Sequence, residues 1–206
     1  MIRIGLTGGI ASGKSTVGEL LRRLGAVLID SDQLARDVVV PGSPGLAAVV
    51  ERFGSEVLLP DGSLDRPALG RLVFGDDQAR ADLNAIIHPL VRQARAGIEA
   101  QVDDPWAIVV WMIPLLVETG ATAGFDAVVV VDVDAQTQLE RLVARDGLDP
   151  AQAQARLDAQ ASRADRLRIA TWVIRNDAGL AELEERTHAV WHELLKLRSG
   201  GDACGC

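Results

Sequence analysis

The sequence predicts an α/β fold of three layers, with a five-stranded parallel sheet between helices. Five short apolar runs, rich in β-branched residues, alternate with segments of helical periodicity along the 206 residues. Parallel strands are covered by helices on both faces, so they read as nearly continuous apolar runs. A glycine-rich segment directly follows the first run, which predicts a strand–loop–helix unit near the N-terminus. We therefore expect one domain over residues 1–198.

The elements follow in order from these patterns. The predicted strands are 1–7, 26–30, 107–113, 127–133 and 171–176. The predicted helices are 14–24, 32–40, 44–53, 65–74, 76–87, 89–102, 135–145, 150–160, 162–170 and 180–198. Pro89 is placed at the start of a helix, because proline is favoured at the first helical position.

Three segments depart from a simple alternation of strand and helix. The stretch of about 32–105 is a helical insert between the second and third strands, and we expect it to form the acceptor-binding side. The arginine-bearing helices of about 141–170 are predicted to form a lid. The Gly-rich segment 199–206 is predicted to be a disordered tail, and its Cys204 and Cys206 to be exposed thiols in a reducing compartment.

The composition argues against several classes of protein. The net charge is −8 and the isoelectric point about 4.9, whereas nucleic-acid binding normally requires a basic surface. The longest strongly apolar run, 107–117, is interrupted by Pro114 and falls short of the roughly 20 residues that span a membrane. The N-terminus has no apolar segment of signal-peptide length. We therefore expect a cytoplasmic protein that binds neither membrane nor nucleic acid.

The segment from Gly8 to Ser15 fits the phosphate-binding pattern G-x-x-x-x-G-K-[ST]. Glycines allow main-chain N–H groups to approach phosphate oxygens at a helix N-terminus. Lys14 reaches the β- and γ-phosphates, and the hydroxyl of Ser15 or Thr16 can bind Mg²⁺. The alternative is a glycine-rich turn without a ligand. A guanine-reading N-K-x-D motif is lacking and the length leaves little room for the sensor domains of a motor ATPase, so a small-acceptor kinase of the P-loop NTPase type fits best.

Candidate acceptor and phosphate contacts follow the second and fourth strands. Ligands of open α/β sheets bind beyond the carboxyl ends of the strands, where Asp32 could orient or deprotonate a hydroxyl, or hold Mg²⁺. The alternative is that Asp32 caps the following helix. Arg141 and Arg145 share a helix face and could clamp phosphates, or they could be solvated and paired with neighbouring acidic residues.

Six segments, taken in order, resemble the dephospho-CoA kinase family. They are "LTGGIASGKST" (6–16), "VLIDSDQLAR" (27–36), "GSLDRPALGRLVF" (62–74), "LNAIIHPLV" (83–91), "PLLVE" (114–118) and "VVVVDVDAQTQLERLVARD" (128–146). The first is common to many kinases, whereas the ordered set is specific, and the resemblance extends over about 1–195.

The resemblance implies that ATP phosphorylates the ribose 3′-hydroxyl of dephospho-CoA. The catalytic residues would be Asp32, Lys14 and Arg141. Mg²⁺ would bind the hydroxyl of Ser15, with Asp32 as a second candidate. ATP would contact Gly9, Ala11, Ser12, Gly13, Lys14, Ser15, Thr16, Arg145 and Asn176. Dephospho-CoA would contact Thr7, Gly8, Asp32, His88 and Leu116.

Three alternatives stay open. His88 could serve only to order the helix start before Pro89. The chain could be a P-loop kinase for a nucleoside monophosphate or a small alcohol. It could also be a nucleotide- or CoA-binding regulator without turnover. Among possible states of association, a monomer is favoured.

Overall fold

A computed structural model describes residues 1–120 and 122–200 of the chain. The strands are β1 (Ile2–Gly8), β2 (Val27–Asp30), β3 (Ile108–Met112), β4 (Ala127–Asp132) and β5 (Trp172–Arg175). The α-helices are α1 (Lys14–Arg23), α2 (Ser31–Asp37), α3 (Pro44–Phe53), α4 (Arg66–Val73), α5 (Asp77–Ala100), α6 (Ala135–Asp146), α7 (Pro150–Asp158), α8 (Arg163–Arg168) and α9 (Leu180–Gly200). A short 3₁₀ turn, Ser55–Val57, and a bridge between Leu58 and Leu64 were not predicted.

The five strands form one parallel sheet in the order β2-β3-β1-β4-β5, which confirms the predicted fold class. The central strand β1 pairs with β3 on one side and β4 on the other. Because all strands are parallel, their carboxyl ends lie along one edge of the sheet. That edge carries Gly8, Asp30 and Asp132, and in such sheets it is the edge that binds ligands.

Helices cover the sheet on both faces, and β4 shows how the strand residues divide between them. Val129 and Val131 pack in a core cluster with residues of α1 and α9, including Leu21 and Leu194. Val128 and Val130 face the other way, in a cluster with Leu116, Phe125, Leu167, Ile169 and their neighbours. Both sets are buried, which explains the unbroken run of valines.

The chain divides into two compact units. The first comprises Met1–Asp30 and Asp104–Cys206 and contains the sheet; the second comprises Ser31–Asp103 and is helical. The second unit has its own apolar core around Val49, Val57 and Leu69. Helices α2, α3 and α4 all pack against α5 in this unit.

The predicted break at Pro89 is wrong. Helix α5 runs through Pro89 without ending, although proline lacks the N–H that would bond to the carbonyl of residue 85. Ile86 and Ile87, in the turn before Pro89, pack against the core of the second unit, and this packing holds the helix where it approaches the proline. His88 therefore lies exposed within a helix, and the structural role suggested for it at a helix start is also wrong.

The C-terminal helix is longer than predicted. Helix α9 includes residues 199 and 200, which were assigned to the tail. Cys204 and Cys206 lie outside the described residues. Across residues 1–120 and 122–200, none of the helices combines the length and the apolar character that crossing a membrane requires.

Candidate active site

The loop between β1 and α1 is shaped to receive an anion. Gly13, the residue before α1, has a left-handed conformation with φ of 89°, and Ala11 also has a positive φ of 57°. A positive φ in a residue other than glycine is uncommon and tends to occur at functional sites. Gly13 has no side chain that could cap the N-terminus of α1, and the first turn of the helix holds no acidic residue. The first N–H groups of the helix and its dipole therefore favour a phosphate there.

Two glutamines bind the main chain of the loop at Ile10. Gln138 of α6 donates from Nε2 to the Ile10 carbonyl at 2.7 Å. Gln160, which precedes α8, accepts a hydrogen bond of 2.7 Å from the Ile10 N–H at its Oε1. The loop is thus held by segments that are 128 and 150 residues distant along the chain.

Asn176 connects the loop to two other parts of the first unit. Its buried Nδ2 donates to the Ser12 carbonyl at 2.8 Å, and its main-chain N–H donates to the Asp132 carbonyl. The carbonyl of Asn176 accepts a hydrogen bond of 2.9 Å from Nη2 of Arg141. Arg141 therefore reaches the loop through Asn176.

Two loop glycines are required by close approach of these side chains. A Cβ atom at Gly13 would lie 2.2 Å from Nδ2 of Asn176. A Cβ atom at Gly9 would lie 2.3 Å from Nε2 of Gln138 and 2.9 Å from Nη2 of Arg166. Any side chain at either position would therefore displace groups that support the loop.

A charged pair follows the end of β4. Asp132 is 5% exposed, and its two carboxylate oxygens accept hydrogen bonds of 2.7 and 2.6 Å from Nε and Nη2 of Arg163. This bidentate contact raises the pKa of the Arg163 guanidinium. The pair fixes the start of α8 against the sheet edge that carries the loop.

The predicted ATP contacts occupy different environments in the first unit. Lys14 is half-buried, whereas Ser15 and Thr16 are exposed in the first turn of α1. Arg145 is exposed and forms a bidentate pair with Asp146, which raises the pKa of Arg145. The structure brings Ser12 and Asn176 into direct contact, and it gives Arg145 a different partner.

The predicted acceptor contacts are divided between the two units. In the first, the buried Thr7 hydroxyl donates weakly to the Pro114 carbonyl at 3.4 Å, and the Leu116 side chain is completely buried. In the second, Asp32 and His88 are exposed. Asp32 is the second residue of α2, within its first turn, so the alternative that it caps the helix is not what the structure shows. A carboxylate in a first turn is favoured by the helix dipole.

The loop region also fits the requirements of Mg²⁺ bound with a nucleotide. Magnesium in such sites takes few protein ligands, because phosphate oxygens and water supply the others. The exposed hydroxyls of Ser15 and Thr16 are hard oxygen donors beside the anion-binding N–H groups. Within the part of the chain that the structure describes, there is no cluster of three or more His, Cys, Asp or Glu side chains suited to hold a metal ion alone.

Sequence reasoning missed the residues that support the loop. Gln138 and Gln160 carry no local signal, because their contacts are made across more than a hundred residues. Asp132 could have been found, since it ends a strand just as Asp30 does, and the carboxyl ends of parallel strands share one edge.

Comparison with known proteins identifies the family. The family model described as dephospho-CoA kinase matches residues 2–182. A dephospho-CoA kinase of Streptomyces avermitilis is 53% identical over 195 residues, covering 95% of both chains. A crystal structure of a Thermus thermophilus protein superposes with a TM-score of 0.82 at 36% identity, over 94% of this chain and 97% of that one. The dephospho-CoA kinase of Campylobacter jejuni gives a TM-score of 0.64 at 27% identity, with the same coverage. The chain therefore belongs to the dephospho-CoA kinase family.

Proposed function

We propose that the chain transfers the γ-phosphoryl group of ATP to the ribose 3′-hydroxyl of dephospho-CoA, giving coenzyme A and ADP. The observation that carries this proposal is membership of the dephospho-CoA kinase family over residues 2–182, which include all of the second unit and most of the first. The anion-binding loop at Gly8–Lys14 supports it, because its main chain and Lys14 suit a triphosphate.

The reaction is an in-line displacement at the γ-phosphorus. The acceptor oxygen forms the new bond to phosphorus, while the bond to the β,γ-bridging oxygen breaks and its electron pair leaves with ADP. Asp32 orients the 3′-hydroxyl and receives its proton. Lys14 and Arg141 offset the charge that develops on the phosphoryl oxygens. When bound, Mg²⁺ would be held by the hydroxyl of Ser15 and would reduce the negative charge of the ATP phosphates.

The other predicted contacts complete the proposal. Ser15 holds Mg²⁺ through its hydroxyl, with Asp32 as a second candidate. Arg145 and Asn176 lie near the adenine of ATP. The acceptor is bound by Thr7, Gly8, His88 and Leu116, with Leu116 acting through its main chain because its side chain is buried. The second unit forms the acceptor side, helices of 141–170 form the lid, and the enzyme works as a cytoplasmic monomer without nucleic-acid or membrane partners.

The test is ADP release from ATP and Mg²⁺ with dephospho-CoA, and with AMP, adenosine and water as control acceptors. Product mass must show one added phosphate. We expect Lys14→Ala and Asp32→Asn each to lower turnover by roughly 100-fold or more. Asp37→Asn changes another exposed carboxylate of α2 and serves as the matched control.

Each outcome has a distinct meaning. Release only with dephospho-CoA supports the proposed reaction, and full activity of Asp32→Asn rules out the role of that carboxylate. Phosphorylation of AMP or adenosine instead would identify a different acceptor. Tight ATP binding without ADP release on any acceptor would identify a regulator.

A further inference from the structure

Among the residues that the structure describes, Arg166 of α8 is a buried cation without an acidic partner. It is 9% exposed, and its Nη1 donates to the Ala161 carbonyl. With the residues of 1–120 and 122–200, its other N–H groups form no hydrogen bond and its guanidinium forms no ion pair. By contrast, a carboxylate binds each of the arginines Arg145, Arg156, Arg163 and Arg168.

The surroundings of Arg166 leave its charge only partly compensated. Burial lowers the pKa of its guanidinium, while Glu118 and Asp132 oppose that effect from a distance. Arginine nevertheless stays protonated in proteins. The carboxylate of Asp132 is already engaged by both Nε and Nη2 of Arg163. A buried charge without a close partner is costly, so an arriving anion would relieve this cost.

The position of Arg166 indicates which anion that is. Its Nη2 would lie 2.9 Å from a Cβ atom at Gly9, so the guanidinium rests against the main chain of the anion-binding loop. The uncapped first turn of α1 belongs to the same loop. Two independent features, a helix N-terminus and a buried unpaired guanidinium, therefore favour negative charge at one place.

We propose that Arg166 contacts the phosphates of bound ATP and is a catalytic residue of the phosphoryl transfer, in addition to Lys14 and Arg141. This inference rests on the proposed kinase function. A planar guanidinium can donate two parallel hydrogen bonds to phosphate oxygens. Because the protein already holds it in position, it stabilises the charge of the transition state without reorganisation.

The experiment compares Arg166→Met, Arg166→Lys and the matched control Arg168→Gln, which alters an exposed arginine of the same helix. Thermal unfolding is measured with and without ATP and Mg²⁺, and kcat/KM is measured with dephospho-CoA. Without ligand, we expect Arg166→Met to unfold at the wild-type temperature or higher, because the buried charge is gone. ATP should raise its Tm much less than that of the wild type.

The kinetic expectation is a loss of roughly 100-fold or more in kcat/KM for Arg166→Met. Arg166→Lys should recover only part of it, since an ammonium group lacks the planar fork. Arg168→Gln should match the wild type in both measurements. A full ATP-induced rise in Tm for Arg166→Met, together with a lower Tm without ligand, would show a purely structural role and overturn the proposal.

Two further results keep the inference separate from the proposed function. The unfolding measurement needs no acceptor, so a wild type that ATP stabilises but that does not phosphorylate dephospho-CoA refutes the function alone. If Arg166→Met does not fold, Arg166→Lys decides. Wild-type kcat/KM and a wild-type Tm rise in that variant would overturn the role of Arg166.

Discussion

Replacing Gly13 by alanine should destabilise the first unit for two separable reasons. The residue has φ of 89°, and a left-handed conformation costs about 1–2 kcal/mol for a residue with a Cβ atom. The new methyl group would also lie 2.2 Å from Nδ2 of Asn176, which must move and abandon the Ser12 carbonyl. Leaving that carbonyl without its donor costs about 1–3 kcal/mol.

A smaller effect acts in the opposite direction. Alanine restricts the unfolded chain more than glycine does, and this raises the free energy of unfolding by about 0.4–1 kcal/mol. The expected net loss in the free energy of unfolding is therefore about 1–4.6 kcal/mol, measured by urea unfolding.

Gly147→Ala supplies the matched control. Gly147 belongs to the same unit and is also left-handed, with φ of 64°, but a Cβ atom there meets no described residue within 4 Å. Gly147→Ala should therefore show only the cost of placing alanine in a left-handed conformation. In an Asn176→Ala background, the cost of Gly13→Ala should fall to that of Gly147→Ala. Equal losses for the two glycine variants in the wild-type background would refute the argument from close packing.

Three further predictions concern stability. Arg163→Gln should lower the free energy of unfolding in urea by about 1–2 kcal/mol more than Asp132→Asn does. The first change leaves the buried Asp132 carboxylate without its ion-pair partner, whereas the second leaves Arg163, whose side chain is 44% exposed, to be solvated by water. A larger loss for Asp132→Asn would contradict this. Ser12→Ala should change stability by no more than about 0.5 kcal/mol, since the buried Ser12 hydroxyl has no hydrogen-bond partner among residues 1–120 and 122–200, and a larger loss in urea unfolding would reveal one. A hydrogen bond from Arg22 lowers the pKa of Glu19 from 4.5 to about 2 in the folded protein. As the pH falls, Glu19 is therefore protonated in the unfolded chain before it is protonated in the folded one. Its contribution to the free energy of unfolding is lost as the pH falls from 4.5 to about 2. Glu19→Gln should therefore make the free energy of unfolding depend less on pH between 4.5 and about 2. A pH dependence equal to that of the wild type would exclude the effect.

Local patterns explain why the sheet and the loop could be predicted from the sequence. The valine run of β4 is buried on both faces, so its composition alone identifies a strand of a covered parallel sheet. The loop motif combines fixed spacing with a strand before it and a helix after it. Both kinds of signal lie within a few consecutive residues.

Long-range packing explains what the sequence did not reveal. Pro89 disfavours a helix locally, yet Ile86 and Ile87 are anchored in the core of the second unit and the helix continues. The order of the strands and the contacts of Gln138 and Asn176 with the loop depend on elements far apart in sequence. The alternative for Asp32 could be decided only once the first residue of α2 was known.

The hydrogen bond between Ile10 and Gln160 makes hydrogen exchange at the Ile10 amide a measure of local opening. The Ile10 amide is covered by a side chain that lies between α7 and α8, so its proton can exchange with deuterium only when that contact opens. One amide near the N-terminus therefore records the opening of a segment 150 residues away. Its exchange rate, with and without nucleotide, would show how often the loop and the segment before α8 separate.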